Sequence, residues 1–262
     1  MKHRQNFVLN NQTRFIRACL AGLSISVAVP VVAAPSQCQG SYFEGSRPDL
    51  VNPKLGVSAK ELCSDYYAVW YSGVARSPLW AAEYLTRNRL EAATTVGRSD
   101  DFRPDSRLPR DWQSTLSDFK GSGLDRGHLA PSADMPTRGA DSQSFLLSNM
   151  IPQDPNLNRN LWAAVESAVR SYARYQSVYV ITGPLFEGMQ IKRLNGRVLI
   201  PTHVFKLVYD PKRNSAGAYL VENAPNRRHR EITLAELEGL AGVRFLPAAA
   251  NVGPLKLPRP RY

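Results

Sequence analysis

The segment LDRGHLAPSADM, residues 124–135, places an acid, a base, a glycine and a histidine side by side. Histidine can act as a general base near neutral pH because its ordinary pKa is about 6.5. The same residue types also occur in polar turns, where Asp125 would pair with an arginine and His128 would be structural. Gly127 would let the chain turn tightly beside His128. The chemistry therefore depends on which other side chains reach His128.

Several reaction classes lack the residues that they need. The sequence has no G-x-S-x-G segment and no P-loop. The glycines of GSGLDRG, residues 121–127, are not spaced as in a dinucleotide-binding loop, and no β-α-β pattern surrounds them. Beyond residue 34 the histidines are His128, His203 and His229, and only two cysteines accompany them. This set disfavours a zinc site, which needs several such ligands.

Hydrolysis of a phosphodiester fits the residues near His128. A histidine can activate water if cations offset the charge that develops on phosphate. Arg126 would lie on the same side of an extended segment as His128, and Arg103 lies in the preceding loop. A Mg²⁺ ion needs few protein ligands because it keeps several waters. The side-chain amide oxygens of Asn149 and Asn158 are candidate ligands, but for Asn149 a supporting hydrogen-bond role is favoured over direct ligation.

Apolar residues recur at helical spacing over residues 157–174, which predicts an amphipathic helix with Trp162 in the core. This helix would carry both Asn158 and Glu166. Eight residues at a rise of 1.5 Å place their Cα atoms about 12 Å apart along the axis. A metal held by Asn158 would therefore be reached more easily by Glu166 through a bound water.

Residues 1–34 are typical of a secretory signal, with four basic residues, no acidic residue and an apolar run that ends in small residues. A membrane anchor is the alternative, which Pro30 and the short apolar run disfavour. Cleavage after Ala34 would release residues 35–262 as a single domain, exported to the periplasm or secreted and free of the membrane. The formal charge would fall from +11 to +7, because the leader holds four of the basic residues, and a basic surface suits a polyanion.

Cys38 and Cys63 remain after the leader is removed, and an even pair in an exported protein favours a disulfide over two thiols. Residues 35–64 would form an extended lead-in that this bond ties down. Residues 247–262 are Pro-rich and basic, which predicts a loosely held surface tail.

The remaining pattern predicts an α+β domain with a mainly antiparallel sheet, because the strands follow one another without regular helical crossovers. Residues 97–123 lack a sustained period and would be mostly loop. The other predicted elements are a hairpin over 65–73 and 78–86, strands over 177–186, 198–210 and 217–224, and a helix over 233–242.

Several motifs taken together resemble the DNA/RNA non-specific endonucleases, the family of mitochondrial endonuclease G. They are LDRGHLAPSADM, FLLSNMIPQDPNLNRNLWAAVE, VYVITGPLF, IPTHVFKLV and ITLAELEGLAGVRFLP, and they extend from about Asp65 to Pro247. The resemblance implies a ββα-metal (His-Me finger) nuclease core on a larger α+β sheet flanked by helices.

The resemblance also implies roles for individual residues. His128 would be the general base, Asn158 would bind Mg²⁺ directly, and Glu166 would hold waters bound to the metal. Arg126 would contact the substrate phosphate. Mg²⁺ is the implied cofactor, with Mn²⁺ as a substitute.

Two further arginines belong to the predicted substrate-binding set. Arg103, within DFRPD, resembles an additional phosphate-binding arginine of the family. Arg159 stands where many relatives carry glutamine and would add positive charge beside the site. His203, within a predicted strand, is interpreted as structural, and NRRHRE, residues 226–231, as a solvated charge run.

The resemblance and the leader pattern together predict an exported Mg²⁺-dependent endonuclease, non-specific for sugar, that cleaves DNA and RNA. Attack by a water that His128 activates would leave 5′-phosphate and 3′-hydroxyl ends. The sequence does not decide whether the protein forms a homodimer. The first alternative is a non-catalytic nucleic-acid-binding protein with the same fold. The second is a phosphodiesterase of small nucleotides.

Overall fold

An eight-stranded sheet runs through the middle of the protein, which a computed structural model describes for residues 36–225 and 228–261. The predicted leader, residues 1–34, lies outside the described residues. Within the described ranges, no helix is both long enough and apolar enough to cross a bilayer.

The strands are short to medium in length and, apart from one edge contact, pair antiparallel. They are β1 (Asp49–Leu50), β2 (Ala59–Cys63), β3 (Tyr67–Ser72), β4 (Ser77–Leu85), β5 (Asp125–His128), β6 (Met150–Gln153), β7 (Val178–Leu185), β8 (Arg193–Leu194), β9 (Val198–Leu199), β10 (His203–Asp210), β11 (Ser215–Glu222), β12 (Arg230–Ile232), β13 (Val243–Arg244) and β14 (Gly253–Pro254). The central sheet has the order β12-β11-β10-β7-β4-β3-β2, with β14 beside β11, and β5 pairs with β6 in a separate hairpin.

The helices lie between these strands. They are α1 (Arg87–Ala93), α2 (Leu116–Phe119), α3 (Arg138–Ser144), α4 (Ala163–Ala173) and α5 (Leu234–Ala241), and a π-helical segment, Leu157–Trp162, leads directly into α4. The helices predicted over 157–174 and 233–242 are therefore present. Thr233 begins α5 by accepting a hydrogen bond from the Glu236 amide at 3.1 Å, and Gly242 ends it with a φ of 64°.

Both faces of the central sheet are covered, which explains why its inner strands are apolar along their whole length. Every residue of β3 is buried, as are all residues of β10 after His203. On one face, Val204 and Val208 pack with the apolar side of α4 and with the β5–β6 hairpin. On the other face, Phe205 packs with the lead-in and α5. The α+β fold with a mainly antiparallel sheet is confirmed.

The lead-in is more structured than the sequence suggested. Its last residues form β2, an edge strand that pairs with β3, and β1 pairs with β13. The predicted disulfide is present, and it joins Cys38 to Cys63 across a sequence separation of 25. The bond fastens the start of the domain to the edge of the central sheet.

The prediction of a loosely held C-terminal tail is wrong. Gly253 and Pro254 form β14 beside β11, and Leu257 is buried in the same cluster as α4. The Tyr219 hydroxyl donates a hydrogen bond to the Pro258 carbonyl. The tail is held against the domain by apolar residues that lie between its prolines. Burial of a leucine side chain such as that of Leu257 contributes about 2 kcal/mol.

The single strand predicted over 198–210 is also wrong, since two strands, β9 and β10, occupy this range. Pro201 lies between them and has no amide hydrogen with which to continue a ladder. The break separates β9, which pairs with β8, from β10 in the central sheet.

Candidate active site

The hairpin β5–β6 followed by the π-helical segment and α4 forms a ββα unit, and this unit positions the candidate residues. In the hairpin, Asp125 lies opposite Gln153 and His128 opposite Met150. Because side chains alternate along a strand, Arg126 and His128 point to the same face of β5.

His128 is held between aromatic rings. Its imidazole meets Phe145 edge-on at a centroid distance of 4.9 Å and Phe102 at 5.8 Å. Nε2 is shielded from solvent and has no hydrogen-bond partner among the described residues. Nδ1 is therefore the ring nitrogen that can meet a water.

Burial and neighbouring charge keep the imidazole neutral. Burial against the rings, followed by the positive charges of Arg98 and Arg126, lowers the pKa of His128 to about 3. The imidazole is therefore neutral near pH 7 and can accept a proton, as a general base must.

No carboxylate among the described residues forms an ion pair with the guanidinium of Arg126. Its guanidinium carbon lies 4.2 Å from the centre of the Phe102 ring, and its Nε atom is buried with no hydrogen-bond partner in the described part of the chain. Stacking on Phe102 fixes the direction of the guanidinium. Its donors remain available for an anionic ligand.

Gly127 is needed for a reason other than the predicted tight turn, since it lies within β5. A Cβ atom at this position would be 2.0 Å from Oε1 of Gln153, whose side chain is fully buried. The glycine thus makes room for Gln153 beneath the strand that carries Arg126 and His128.

Asp125 connects β5 to the π-helical segment. Its Oδ2 atom accepts hydrogen bonds from Nδ2 of Asn158 and from Nε of Arg159, each at 2.9 Å, and its Oδ1 accepts from Nη2 of Arg159 at 2.7 Å. Partial burial alone would raise the pKa of Asp125, but the hydrogen bonds from Arg159 and Asn158 and the nearby positive charges lower it. The carboxylate therefore stays ionised, as the structural role considered for Asp125 requires.

Glu166 lies on α4, one helical stretch beyond Asn158, and its side chain is only 15% exposed. Burial raises the pKa of Glu166, and the positive charges of Lys206 and Arg170 oppose this effect. Arg170, one turn further along α4, has Nη1 at 4.0 Å from Glu166 and at 3.1 Å from Asp134. Asn158 itself lies in the π-helical segment, a geometry that is frequent at functional sites.

Asn149 has the supporting role that was the favoured interpretation. Its Oδ1 accepts from the Ala130 amide at 3.0 Å, and its Nδ2 donates to the carbonyls of Ala130 and Ser144 at 2.9 Å. The side chain is fully buried. Asn149 therefore fastens the chain that follows His128.

The donor set fits a hard metal ion. The Nδ2 atom of Asn158 is engaged by Asp125, so its Oδ1 atom points away from the carboxylate and has no hydrogen bond with the described residues. No group of three His, Cys, Asp or Glu side chains in residues 36–225 and 228–261 is arranged to hold a metal. One amide oxygen, with Glu166 nearby, suits an ion that keeps most of its waters, such as Mg²⁺.

Residues 47–251 match the family model of the DNA/RNA non-specific endonucleases. The chain belongs to this family. It is a nuclease, and therefore a hydrolase of phosphodiester bonds, in a family that depends on metal ions.

Relatives of this nuclease are found in fungi, bacteria and animals. It is 34% identical over 211 residues to Nuclease C1 of Cunninghamella echinulata var. echinulata, which covers 72% of this chain and 84% of the relative. It is 32% identical over 263 residues to a nuclease of Nostoc sp., with coverage of 89% and 93%. Human mitochondrial endonuclease G is 34% identical over 214 residues, with coverage of 72% and 71%.

The fold of the nuclease also matches a solved structure of an EndoG/EndoGI complex. The TM-score is 0.66, with 24% sequence identity over 82% of this chain and 94% of that chain. The ββα-metal core on a larger sheet is thereby confirmed.

Arg98 is a residue that sequence reasoning missed in this nuclease. Its guanidinium carbon lies 4.7 Å from the centre of the Phe145 ring, which also contacts His128 and Phe102. A cavity of about 350 Å³ beside it is also lined by Arg170 and Arg174. The only signal in the sequence was the arginine content of a long loop, which did not distinguish Arg98 from Arg103.

Arg103 and Arg159 are both engaged in ion pairs in the nuclease. Nη1 of Arg103 lies 2.7 Å from Asp101 and donates to the Ser142 carbonyl at 3.0 Å. Arg159 is 69% exposed at its side chain and holds Asp125. Their roles in substrate binding stay predictions.

Proposed function

We propose that this nuclease is an exported, Mg²⁺-dependent endonuclease, non-specific for sugar, that cleaves DNA and RNA and leaves 5′-phosphate and 3′-hydroxyl ends. The observation that carries the proposal is the Asp125–Asn158 hydrogen bond. It ties the strand with a neutral, ring-enclosed His128 to the helix with Asn158 and Glu166.

The proposed chemistry begins at His128. Its Nδ1 accepts a proton from a water as the water oxygen bonds to phosphorus, and the bond from phosphorus to the 3′ oxygen breaks. The departing 3′ oxygen is protonated from solvent. Arg126 offsets the growing negative charge on the phosphate.

Asn158 would hold the metal through Oδ1, and Glu166 would assist through water. When bound, Mg²⁺ supplies a Lewis acid for the phosphate oxygens. The phosphate backbone is common to all nucleic-acid sequences, and contacts to it do not require reading of the bases. This supports activity on both DNA and RNA.

Export is supported by the leader pattern of residues 1–34 and by the Cys38–Cys63 disulfide. Disulfides persist in oxidising compartments such as the periplasm and the extracellular space. Expression of the full chain, followed by fractionation and N-terminal sequencing, tests this part. An intact leader on cytoplasmic protein would overturn it.

The activity is tested on supercoiled plasmid and on structured RNA with Mg²⁺, with and without EDTA. We expect nicks and then fragments from both substrates, and EDTA should stop both reactions. Fragments that accept a kinase label only after phosphatase treatment would establish the 5′-phosphate. Intact but retarded plasmid would instead support the non-catalytic binding protein.

His128→Ala provides the matched active-site test, with His229→Ala as its control. Removing a general base lowers the rate by about 10²–10⁴-fold, whereas His229 packs against Tyr219 elsewhere and should be neutral. Both variants should unfold near the wild-type temperature. Near-wild-type turnover by His128→Ala would remove His128 from the proposed role.

A further inference from the structure

A second polar cavity lies beside the β5–β6 hairpin, outside the residues assigned to hydrolysis. Its volume is about 760 Å³, which is within the range of small-molecule sites in proteins. The lining residues used below are Leu124, Glu187, Lys192, Ile200, His203 and Glu222.

The cavity continues the face of β5 that carries the hydrolytic residues. Leu124, Arg126 and His128 are spaced two residues apart, so they share one side of an extended chain. Leu124 and Ile200 pack in the same apolar cluster as Phe102, and Arg126 stacks on Phe102 at 4.2 Å. A nucleic-acid strand whose phosphate contacts Arg126 would therefore extend over this cavity on the side of β5 away from His128.

The distance from His128 to the cavity corresponds to a few nucleotides. Four residues of extended chain, from Leu124 to His128, span about 13 Å. Stacked nucleotides advance by about 3.4 Å each, so this span takes about four of them, and fewer if the strand is stretched. The cavity would receive a base near the scissile phosphate but not at it.

Two carboxylates, those of Glu187 and Glu222, line the cavity together with the hydroxyl and amide side chains of Ser122, Gln190 and Thr202. Oε2 of Glu187 lies 3.2 Å from Nδ1 of His203, and Glu222 is the residue opposite His203 in the backbone register of β10 and β11. The side-chain amide of Asn223, by contrast, is already hydrogen-bonded to the backbone. Its Oδ1 accepts from the Asp154 amide, and its Nδ2 donates to the carbonyls of Pro152 and Pro201.

Two carboxylates disfavour a phosphate group in this cavity but favour a ligand that donates hydrogen bonds. Leu124 and Ile200 offer an apolar surface to a flat ring. Glutamate accepts a hydrogen bond from the exocyclic amino group of a base, such as N4 of cytosine. Lys192 at the same cavity suits the adjoining backbone.

We propose that this cavity binds one base of the substrate strand, and that Glu187 and Glu222 favour bases with an exocyclic amino group over thymine and uracil. The inference rests on the proposed function, because it assumes that the hydrolysed strand passes over Arg126. A well-placed contact of this kind discriminates between bases by at least about fivefold.

The test is binding of fluorescein-labelled oligo-dC and oligo-dT to the purified protein in EDTA, read by anisotropy. Cytosine and thymine have the same ring size and differ in the amino group. Wild type should bind oligo-dC at least about fivefold more tightly. In Glu187→Met/Glu222→Met the ratio should fall to near one, while Glu91→Met, a change on an exposed helix, should retain it.

Equal binding of the two oligonucleotides by wild type would overturn the inference, as would an unchanged ratio in the double variant. If the double variant fails to fold, the single variants Glu187→Met and Glu222→Met take its place, and an unchanged ratio in both has the same meaning. Plasmid cleavage with Mg²⁺ reports the proposed nuclease activity separately. A cytosine preference without cleavage would support this base site and overturn the hydrolytic proposal alone.

Discussion

Asp125 accepts a hydrogen bond from Nδ2 of Asn158 at 2.9 Å, across 33 residues of sequence. The contact orients the amide so that Oδ1 faces away from the carboxylate. It also links β5, which carries Arg126 and His128, to the helix that carries Glu166. Arg159 completes the arrangement with two hydrogen bonds to the same carboxylate.

Removing Asp125 should weaken metal binding while leaving the proposed ligand in place. Residues that orient a metal ligand typically change metal affinity or activity by about 10–100-fold when mutated. Asp125→Ala should therefore need about 10–100-fold more Mg²⁺ for half-maximal cleavage, measured by titration on plasmid. Arg159→Ala should have a much smaller effect, because an ion pair with a solvent-exposed arginine contributes little. An unchanged Mg²⁺ titration in Asp125→Ala would disprove the orienting role.

The pH dependence of kcat/KM should not show an ordinary histidine. Because burial and the charges of Arg98 and Arg126 lower the pKa of His128 to about 3, the ring stays neutral as the pH falls through 6.5. Burial raises the pKa of Glu166, so on acidification this carboxylate loses its charge earlier than an exposed one would. The loss of kcat/KM at acidic pH should therefore report protonation of the Glu166 carboxylate and not of the His128 imidazole.

The measurement is kcat/KM between pH 4 and pH 9, since this ratio reports groups of the free enzyme. Arg98→Gln removes one of the two charges that act on His128 and should move the pKa of the imidazole upward. A wild-type limb near 6.5 that disappears in His128→Ala would show that the imidazole titrates normally, against this prediction.

Gly127→Ala should destabilise the fold through a clash with Gln153. The added Cβ would lie 2.0 Å from Oε1 and 2.7 Å from Cβ of this buried side chain. Overpacking of a buried site typically costs about 1–3 kcal/mol, and chemical denaturation measures it. Gln153→Ala removes the 2.0 Å contact with Oε1 and leaves only the contact with Cβ, so the double variant should be more stable than the sum of the single changes. If the changes in unfolding free energy of the two single variants simply add in the double variant, the clash with Gln153 is not the reason that a glycine is needed at position 127.

Loss of the disulfide should lower stability more than activity. For a sequence separation of 25, the chain-entropy relation gives about 3.5 kcal/mol. Cys38→Ser should therefore lower Tm by roughly 10 °C in a domain of this size. Cys38 packs in the cluster on the opposite face of the sheet from the hairpin, so cleavage at 25 °C should be close to that of wild type. A Tm equal to that of wild type would mean that the lead-in holds without the bond.

Much of the fold was predictable because its signals are local. The helix over 157–174 was marked by an apolar stripe that α4 does bury, and α5 by a capping threonine and a terminal glycine. The β3–β4 hairpin followed from two apolar runs. Two predictions were wrong because a single residue decided the structure of a segment. Pro201 divides the strand predicted over 198–210, and the buried Leu257 anchors a proline-rich tail that was predicted to be loosely held.

The candidate site was predictable only as a set of residue types. His128, Asn158 and Glu166 were identified by their motifs, and the chemistry of each follows from its functional groups. The sequence did not show that Arg98 lies near His128 or that Arg103 pairs with Asp101. Arg98 and Arg103 are close together in one long loop. They differ in their surroundings because the guanidinium of Arg98 packs on the Phe145 ring.

The sequence by itself determined most of the strands and helices, the favoured pairing of Cys38 with Cys63, and which side chains can exchange protons or bind a cation. These properties depend on near neighbours and on the functional group itself. The tertiary structure decided the contacts between Asp125 and Asn158 and the shielding of Nε2 of His128. Such contacts depend on the register of β5 against β6 and on how α4 packs on the sheet, and these are set by the whole core at once.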